Sequence, residues 1–431
     1  MRDMKESGVA WLGTIPKEYK TVPIGSLFTI KKDIIGQEPD TVLSITQTGV
    51  KPKDLSSNEG QNASSYAHYQ KVCVGDFAMN HMDLLTGWVD ISKYEGVTSP
   101  DYRVFSLNDA RYSANYFLRV FQYYYANKIF FGFGQGVATL GRWRLPAVNF
   151  NKIDVPVPPP SEQHRIVKEL NTKTEKIEEL KQNVKGQIEK LKQYKQSLIT
   201  EVVTRGLDSA AQMKNSGVEW IESIPEAWQI SPLKSLFSFG KGLPITKENL
   251  TETGIPVISY GQIHAKWNTG VTTHAELYRF VSEKYLEANP DSLVQKGDVI
   301  MADTSEDKEG CGNCAYIDTD DTVFAGYHTI ILKSLTKTNT KYLAYLFLTD
   351  HWRSQLRKQV SGVKLFSVSK RILGSTTVLI PDCADEIVAY LDDKCSQIDA
   401  LIRIKQAKIE KLEKYKKSII YEYVTGKKEV Q

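Results

Sequence analysis

No stretch of eighteen or more apolar residues occurs in this 431-residue chain, so no membrane-spanning helix is expected. The opening Met1-Arg2-Asp3-Met4-Lys5-Glu6 is too charged for a secretory leader, which makes a cytoplasmic protein the expectation. Cysteine is scarce and odd in number: Cys73, Cys311, Cys314, Cys383 and Cys395 argue against a disulfide framework. Cys311 and Cys314 form a single C-x-x-C, with His328 the nearest following histidine and no second pair to complete a zinc site. No G-x-x-x-x-G-K-[ST] phosphate loop is present, which excludes ATP-driven translocation by this chain. An N/D-P-P-Y/F tetrad is also missing, which argues against adenine methyl transfer. Seven scattered histidines and no serine–histidine or paired-carboxylate arrangement leave no catalytic assignment. Excess charge is small, at +4, so a basic groove is permitted and not demanded.

What is present is a duplication. Met4-Lys5-Glu6-Ser7-Gly8-Val9-Ala10-Trp11-Leu12 recurs as Met213-Lys214-Asn215-Ser216-Gly217-Val218-Glu219-Trp220-Ile221. The likeness runs on through Ile15-Pro16 and Ile224-Pro225, then Leu27-Phe28 and Leu236-Phe237. At the far end Leu191-Lys192-Gln193-Tyr194 parallels Leu412-Glu413-Lys414-Tyr415. Between these ends the copies diverge, with Gly75-Asp76 and Gly297-Asp298 as the clearest landmarks. A period this long exceeds any solenoid repeat and indicates two duplicated domains. Shared edges suggest common architecture, and divergent middles suggest two different ligands.

Within each copy, β-branched and aromatic runs bounded by turn residues predict strands at 41–45, 76–79 and 101–105, and at 255–259, 298–301 and 329–332. Helical spacing predicts helices at 113–127 and 340–358. The lobes are therefore mixed α+β. Val155-Pro156-Val157-Pro158-Pro159-Pro160 then stops any helix, and Ser161 is the expected N-cap of a long one. Leu170, Ile177, Val184, Leu191 and Leu198 follow at seven-residue spacing. Leu391, Ile398, Leu412 and Ile419 hold the same register 221 residues later, with Lys405 interrupting. Leu180 and Tyr194, and Leu401 and Tyr415, are the expected companions three residues on. Such heptads specify a coiled coil, and the chain order favours an antiparallel pair of the two helices.

This layout resembles the specificity subunits of type I restriction-modification systems. Pro158-Pro159-Pro160-Ser161-Glu162-Gln163-His164-Arg165-Ile166 is similar to that family's P-P-x-x-E-Q-x-x-I signature, and Ser7–Pro16 to its usual opening. The second copy departs from it, with Ile380-Pro381-Asp382-Cys383-Ala384-Asp385-Glu386-Ile387. The resemblance covers essentially the whole chain. It implies target-recognition domains at 1–157 and 206–378, and coiled-coil helices at 158–205 and 379–426. It also implies a non-catalytic subunit that binds double-stranded DNA at a bipartite target. Two methyltransferase and two restriction subunits would be its partners, with no membrane. No cofactor belongs to this chain, since S-adenosylmethionine, ATP and Mg would sit on those partners. The alternatives are a stand-alone DNA-binding regulator with a coiled-coil spacer, a protein scaffold, and an enzyme fused to a recognition domain.

Base readers would sit in the loops at strand ends, where amide, hydroxyl and charged groups can reach base edges. Thr46, Gln47, Asn80 and His81 occupy such places in the first lobe. Tyr260, Gln262, Asp303, Thr304 and Ser305 do so in the second, with Gln47 and Gln262 equivalent after Ser44 and Ser259. Phe131-Gly132-Phe133-Gly134-Gln135-Gly136 superficially resembles a cofactor loop. The family resemblance instead pairs Gly136-Val137 with Gly362-Val363 in a loop near DNA. Arg142, Arg144 and Lys364 are candidate phosphate contacts, as are Lys31, Lys32, Lys241 and Lys247. For each of these residues, taken singly, a solvated surface role is the ordinary alternative. Tyr123-Tyr124-Tyr125 and Phe130-Phe131 read either as stacking platforms or as helix core.

Overall fold

The computed structural model describes residues 2–55, 63–136, 143–336, 339–362 and 364–430. It divides into two compact units, Met1–Lys185 with Gln406–Gln431, and Gly186–Lys405. Each unit holds one lobe, the start of the long helix that follows it, and the end of the other long helix.

The first lobe is built on a four-stranded antiparallel sheet in the order Phe28–Lys31, Arg103–Leu107, Phe77–Met79, Val89–Ile91. Phe77 and Phe105 sit opposite each other and stack at 5.1 Å. The helix Ala114–Ala126, capped by Ser113, buries Phe117, Val120, Phe121 and Tyr124, a stripe at helical spacing. The second lobe repeats the order with Phe237–Lys241, Thr329–Ser334, Val299–Ala302 and Cys314–Tyr316. Register repeats as well. Leu107 faces Phe28 as Ser334 faces Phe237, and Phe105 faces Phe77 as Leu332 faces Val299. On this register Arg103 is the counterpart of Ile330, His81 of Asp303 and Asp101 of His328.

The landmark turns explain themselves. Gly75 and Gly297 take φ of 92° and 96°, where a side chain would be strained. The buried Asp76 and Asp298 then accept from Cys73 N at 3.0 Å and Gln295 N at 2.9 Å, closing the same turn twice. The expected helix at 340–358 is in fact two, Thr340–Phe347 and Asp350–Arg357. Thr349 divides them: its hydroxyl donates to Leu346 O at 2.7 Å and accepts from Trp352 N at 3.3 Å, ending one helix and capping the next.

The long helices are Pro160–Arg205 and Ala384–Val424. Among the described residues, no helix is long and apolar enough to cross a membrane. Ser161 is not the N-cap of the first. The Pro159 carbonyl accepts from Glu162 N at 2.9 Å and Gln163 N at 3.1 Å, so Pro160 is the first helical residue, a position its fixed φ suits.

Within the first unit the helices run antiparallel, Lys181 meeting Glu413 and Glu178 accepting from Lys416 at 2.6 Å. Within the second, Lys195 donates to Asp399 at 2.7 Å and Lys405 to Gln187 at 2.7 Å. Glu178–Lys416 and Asp399–Lys195 are the same bridge drawn once in each unit, since the sequence repeats 221 residues on.

Leu170, Ile177, Val184, Leu198, Leu391, Ile398 and Ile419 are buried along the seam, with Leu191 and Leu412 partly so. The expected companions are not buried. Leu180, Tyr194, Leu401 and Tyr415 are 47, 58, 47 and 52% exposed. The buried partners lie four residues on: Thr174, Lys181 and Ile188 in the first helix, Cys395, Ile409 and Tyr423 in the second. Positions three and four residues on flank a heptad line on opposite sides. Which side faces the partner is set by the partner, and apolarity of Leu180 and Tyr194 misled the sequence-based expectation.

Candidate nucleic-acid interface

In the first lobe Leu43–Thr46 forms a hairpin with Gly49–Pro52, and Gln47 lies in its turn. Thr46 Oγ1 donates to Gly49 O at 2.9 Å, which tightens the turn. Gln47 Nε2 donates to Thr86 O at 3.2 Å and so reaches the loop after the central strand. Asn80 opens that loop, its Oδ1 accepting from Met82 N at 3.2 Å and Asp83 N at 3.3 Å. Ser44, Asn80, Asp101 and Tyr102 line one open cavity of 840 Å³. The sequence-predicted Thr46, Gln47 and Asn80 therefore gather around one region.

His81 behaves differently. It is buried, its Nδ1 has no partner, and burial, followed by the charges of Arg103 and Arg144, pushes its pKa down to about 3. Arg103 lies beside it, buried over the Phe150 ring at 4.6 Å and donating to Leu145 O at 2.7 Å. Burial holds its pKa down at about 10, and one terminal nitrogen is unpartnered. Nothing in the sequence pattern singles out Arg103, because an arginine at a strand start reads as surface. Arg144 is exposed and exchanges two backbone hydrogen bonds with Gln135, at 2.8 and 2.9 Å. Gly136 packs close to Trp143, while Arg142 and Val137 lie outside the described residues.

Of the phosphate candidates, Lys31 is already engaged, donating to the buried Asp76 at 2.5 Å. Lys32, Lys241 and Lys247 are exposed. Tyr124, Tyr125 and Phe130 are core, and Tyr123 stacks on Tyr421 at 5.3 Å, so the aromatic run serves packing.

In the second lobe the strand Ile255–Ile258 runs into a helical turn, Tyr260–Ile263, where the first lobe has a hairpin. Gln262 and Gln47 are accordingly not equivalent. Gln262 Oε1 accepts from Ser259 N at 3.2 Å, as a helix cap does. Tyr260, Asp303 and Thr304 come together with three residues the loop rule missed: His264, Asn313 and His328. His264 Nε2 lies 2.8 Å from Thr304 O and must donate to it; its Nδ1 then accepts from Asn313 Nδ2 at 3.0 Å. His328 packs its ring edge-on against Tyr260 at 5.3 Å and lies 3.4 Å from Asp303. Ser305 is buried opposite Phe366 in a short strand pair. A Cβ on Gly362 would run into the Leu365 carbonyl; Lys364 is exposed and Val363 lies outside the described residues.

The Glu162-Gln163 pair faces inward. Glu162 accepts both terminal nitrogens of Arg2 at 2.6 Å and the Tyr19 hydroxyl at 2.9 Å. Burial and then this carboxylate drive the Tyr19 pKa up. Gln163 Oε1 accepts from Ser113 N at 2.8 Å, and its Nε2 donates to Pro158 O at 2.9 Å. The pair thus clamps the helix start to the N-terminal segment and to the capping residue of the lobe's main helix.

Cys311 and Cys314 are buried free thiols, and burial raises Cys314 to about 12. Among the described residues, no three metal-ligating side chains gather.

The chain is thus a duplication: two lobes share one four-stranded sheet order, each is followed by a long helix, and the loop chemistry differs between them. Residues 225–414 match the type I restriction modification DNA specificity domain. The chain is 26% identical over 286 residues to the type I restriction enzyme MjaVIII specificity subunit of Methanocaldococcus jannaschii, covering 64% of this chain and 63% of that one. The matched region thus spans just under two thirds of that relative's length. In fold it is similar to a chain solved in work on complex assembly and conformational transition of the type I R-M system, with a TM-score of 0.70 at 14% identity over 95% of this chain and 98% of that one. It is also similar to the HsdS subunit from Thermoanaerobacter tengcongensis, with a TM-score of 0.50 at 15% identity over 96% and 98%. Residues 225–414, most of the second lobe and of the helix that follows it, thus carry a type I restriction modification DNA specificity domain, and nearly the whole chain shares the fold of these solved structures.

Proposed function

We propose that the chain reads a bipartite double-stranded DNA target, one half-site per lobe, and positions methyltransferase and nuclease-translocase subunits on it. One observation carries this reading: the two lobes keep one sheet order and one register while the residues at their strand ends differ in kind. A shared frame with different loop chemistry suits two different short sequences. S-adenosylmethionine, ATP and Mg would be bound by two methyltransferase and two restriction subunits, and adenine would be the modified base. The paired helices would set the unspecified gap, near one turn of DNA or about 34 Å if both lobes read one face. Residue limits of 1–157 and 206–378 for the recognition domains, and 158–205 and 379–426 for the helices, remain part of this proposal.

A modified-base map of the host genome with and without the gene tests it. Loss of methylation at one split motif in the deletion strain is the expected result, and an unchanged map would overturn it. In a second test, a four-residue helical insertion after Val184 should lengthen the gap or abolish modification. A normal gap in that variant would remove the spacing role.

A further inference from the structure

In the second lobe, the connection from Val323–Ala325 to Thr329–Ser334 is only three residues, Gly326, Tyr327 and His328. His328 has φ of 54°, a left-handed conformation uncommon for a residue with a side chain. The turn is held from beneath. Gly326 N donates to Ile258 O at 2.7 Å, Tyr260 N to Tyr327 O at 3.3 Å, and Asp303 N to His328 O at 3.1 Å. Thr329 Oγ1 donates back to Gly326 O at 2.7 Å, and a Cβ on Gly326 would strike Ser259. Strained residues persist where surrounding contacts over-determine them, and such places are enriched in function.

What this scaffold displays is a histidine. Its side chain is 59% exposed, with Tyr260 and Tyr327 against the ring at 5.3 and 6.0 Å. Asp303 stands beside it, Oδ1 lying 3.4 Å from His328 Nδ1 and accepting from Thr304 Oγ1 at 2.7 Å. That leaves Oδ2 to accept from another donor. In the first lobe the connection from Gly96–Thr98 to Arg103–Leu107 has four residues, and the register counterpart of His328 there is an exposed Asp101, beside the cavity that Asn80 lines. One position of a shared frame thus carries opposite hydrogen-bonding character in the two lobes.

Resting on the function proposed above, we propose that His328 and Asp303 read one G·C base pair in the second lobe's half-site. The imidazole donates to the guanine N7/O6 edge, and Asp303 Oδ2 accepts from the cytosine N4 amine. Tyr260 and Tyr327 limit the ring's freedom, so little ordering is left to binding.

The test uses the chain co-purified with its methyltransferase subunits, and duplexes carrying the split motif or single base-pair changes within each half. His328→Gly suits the backbone conformation, so the turn survives without the side chain. Discrimination at one base pair of one half-site should fall by about 5- to 150-fold, with the other half-site read as before. His328→Asn, also tolerant of this conformation, should shift that position towards A·T, since an amide fits adenine. Unchanged discrimination in His328→Gly would overturn the inference. So would an equal loss on every duplex, which would mark a phosphate contact. If the wild-type complex itself preferred no split motif, the functional reading would fail first.

Discussion

The first long helix carries Glu162 and Gln163 in its first turn; the second has Cys383 and Ala384 at the corresponding places. Around Glu162 stand Arg2 and Tyr19, and around Gln163 stand Ser113 and Pro158. The second start is fastened elsewhere. Asn339 Nδ2 donates to Asp385 at 2.7 Å, and Lys341 and the Tyr345 hydroxyl donate to Asp392 at 2.7 and 2.8 Å. Apolar docking is the common part: Ile166 and Leu170 in one copy, Ile387 and Leu391 in the other, are fully buried. The geometry of a helix leaving a lobe is therefore kept by burial, while the polar clamp can be rebuilt from other residues. The glutamate–glutamine pair of the family-like signature is, in this chain, an internal fastening.

Breaking the first clamp should have the largest effect. Glu162→Ala strands a half-buried guanidinium and a buried phenol, and should cost about 3 kcal/mol in urea unfolding of the first unit. Cys383→Ala, the matched change, should cost less than about 1 kcal/mol. Equal losses would mean the two starts are fastened alike. Next comes the seam. Ile188→Ala should cost about 2–4 kcal/mol, whereas Tyr194→Lys should stay within about 0.5 kcal/mol. Thermal unfolding that ranked them the other way would restore the three-residue companion.

The buried histidine gives a pH signature to the first lobe alone. His81 is held neutral, with its folded pKa near 3, below its ordinary 6.5. Between those values the unfolded chain binds the extra proton, so stability should fall as pH drops from about 6.5 towards 3. His81→Asn should flatten that part of the profile, and an unaltered slope would assign it to other groups. Smallest is Lys181, buried in the seam where the second unit has Ile402. Burial lowers its pKa, but Glu413 and Glu178 more than reverse that, and the ammonium stays charged. Lys181→Met should be neutral or slightly stabilising by calorimetry, as a packed apolar group replaces a desolvated ion. A large loss would show that the network is worth more than its desolvation.

Much of the frame was legible because it repeats. Strands at 76–79 and 329–332, the glycine–aspartate turns and the heptad line all follow from periodicity or from a residue with few conformational options, as Gly75 and Gly297 have. The misses share a cause. Leu180 was expected in the seam and is exposed, while Lys181 is inside, because apolarity along one helix does not say where the other helix lies. Gln262 was expected to be the equivalent of Gln47, and its Oε1 caps a turn, since a polar side chain near a chain reversal has backbone donors within reach. Arg103 and His328 were missed because their roles come from neighbours distant in sequence, Phe150 and Leu145 for one, Tyr260 and Asp303 for the other.

One exchange tests the central claim of one half-site per lobe most directly. Residues 206–378 would be replaced by the corresponding lobe of a second specificity subunit with a different known motif, and modified bases mapped genome-wide. The account predicts that one half of the split motif changes to the donor's, with the other half kept. Modification that changed in both halves, or in neither, would contradict it.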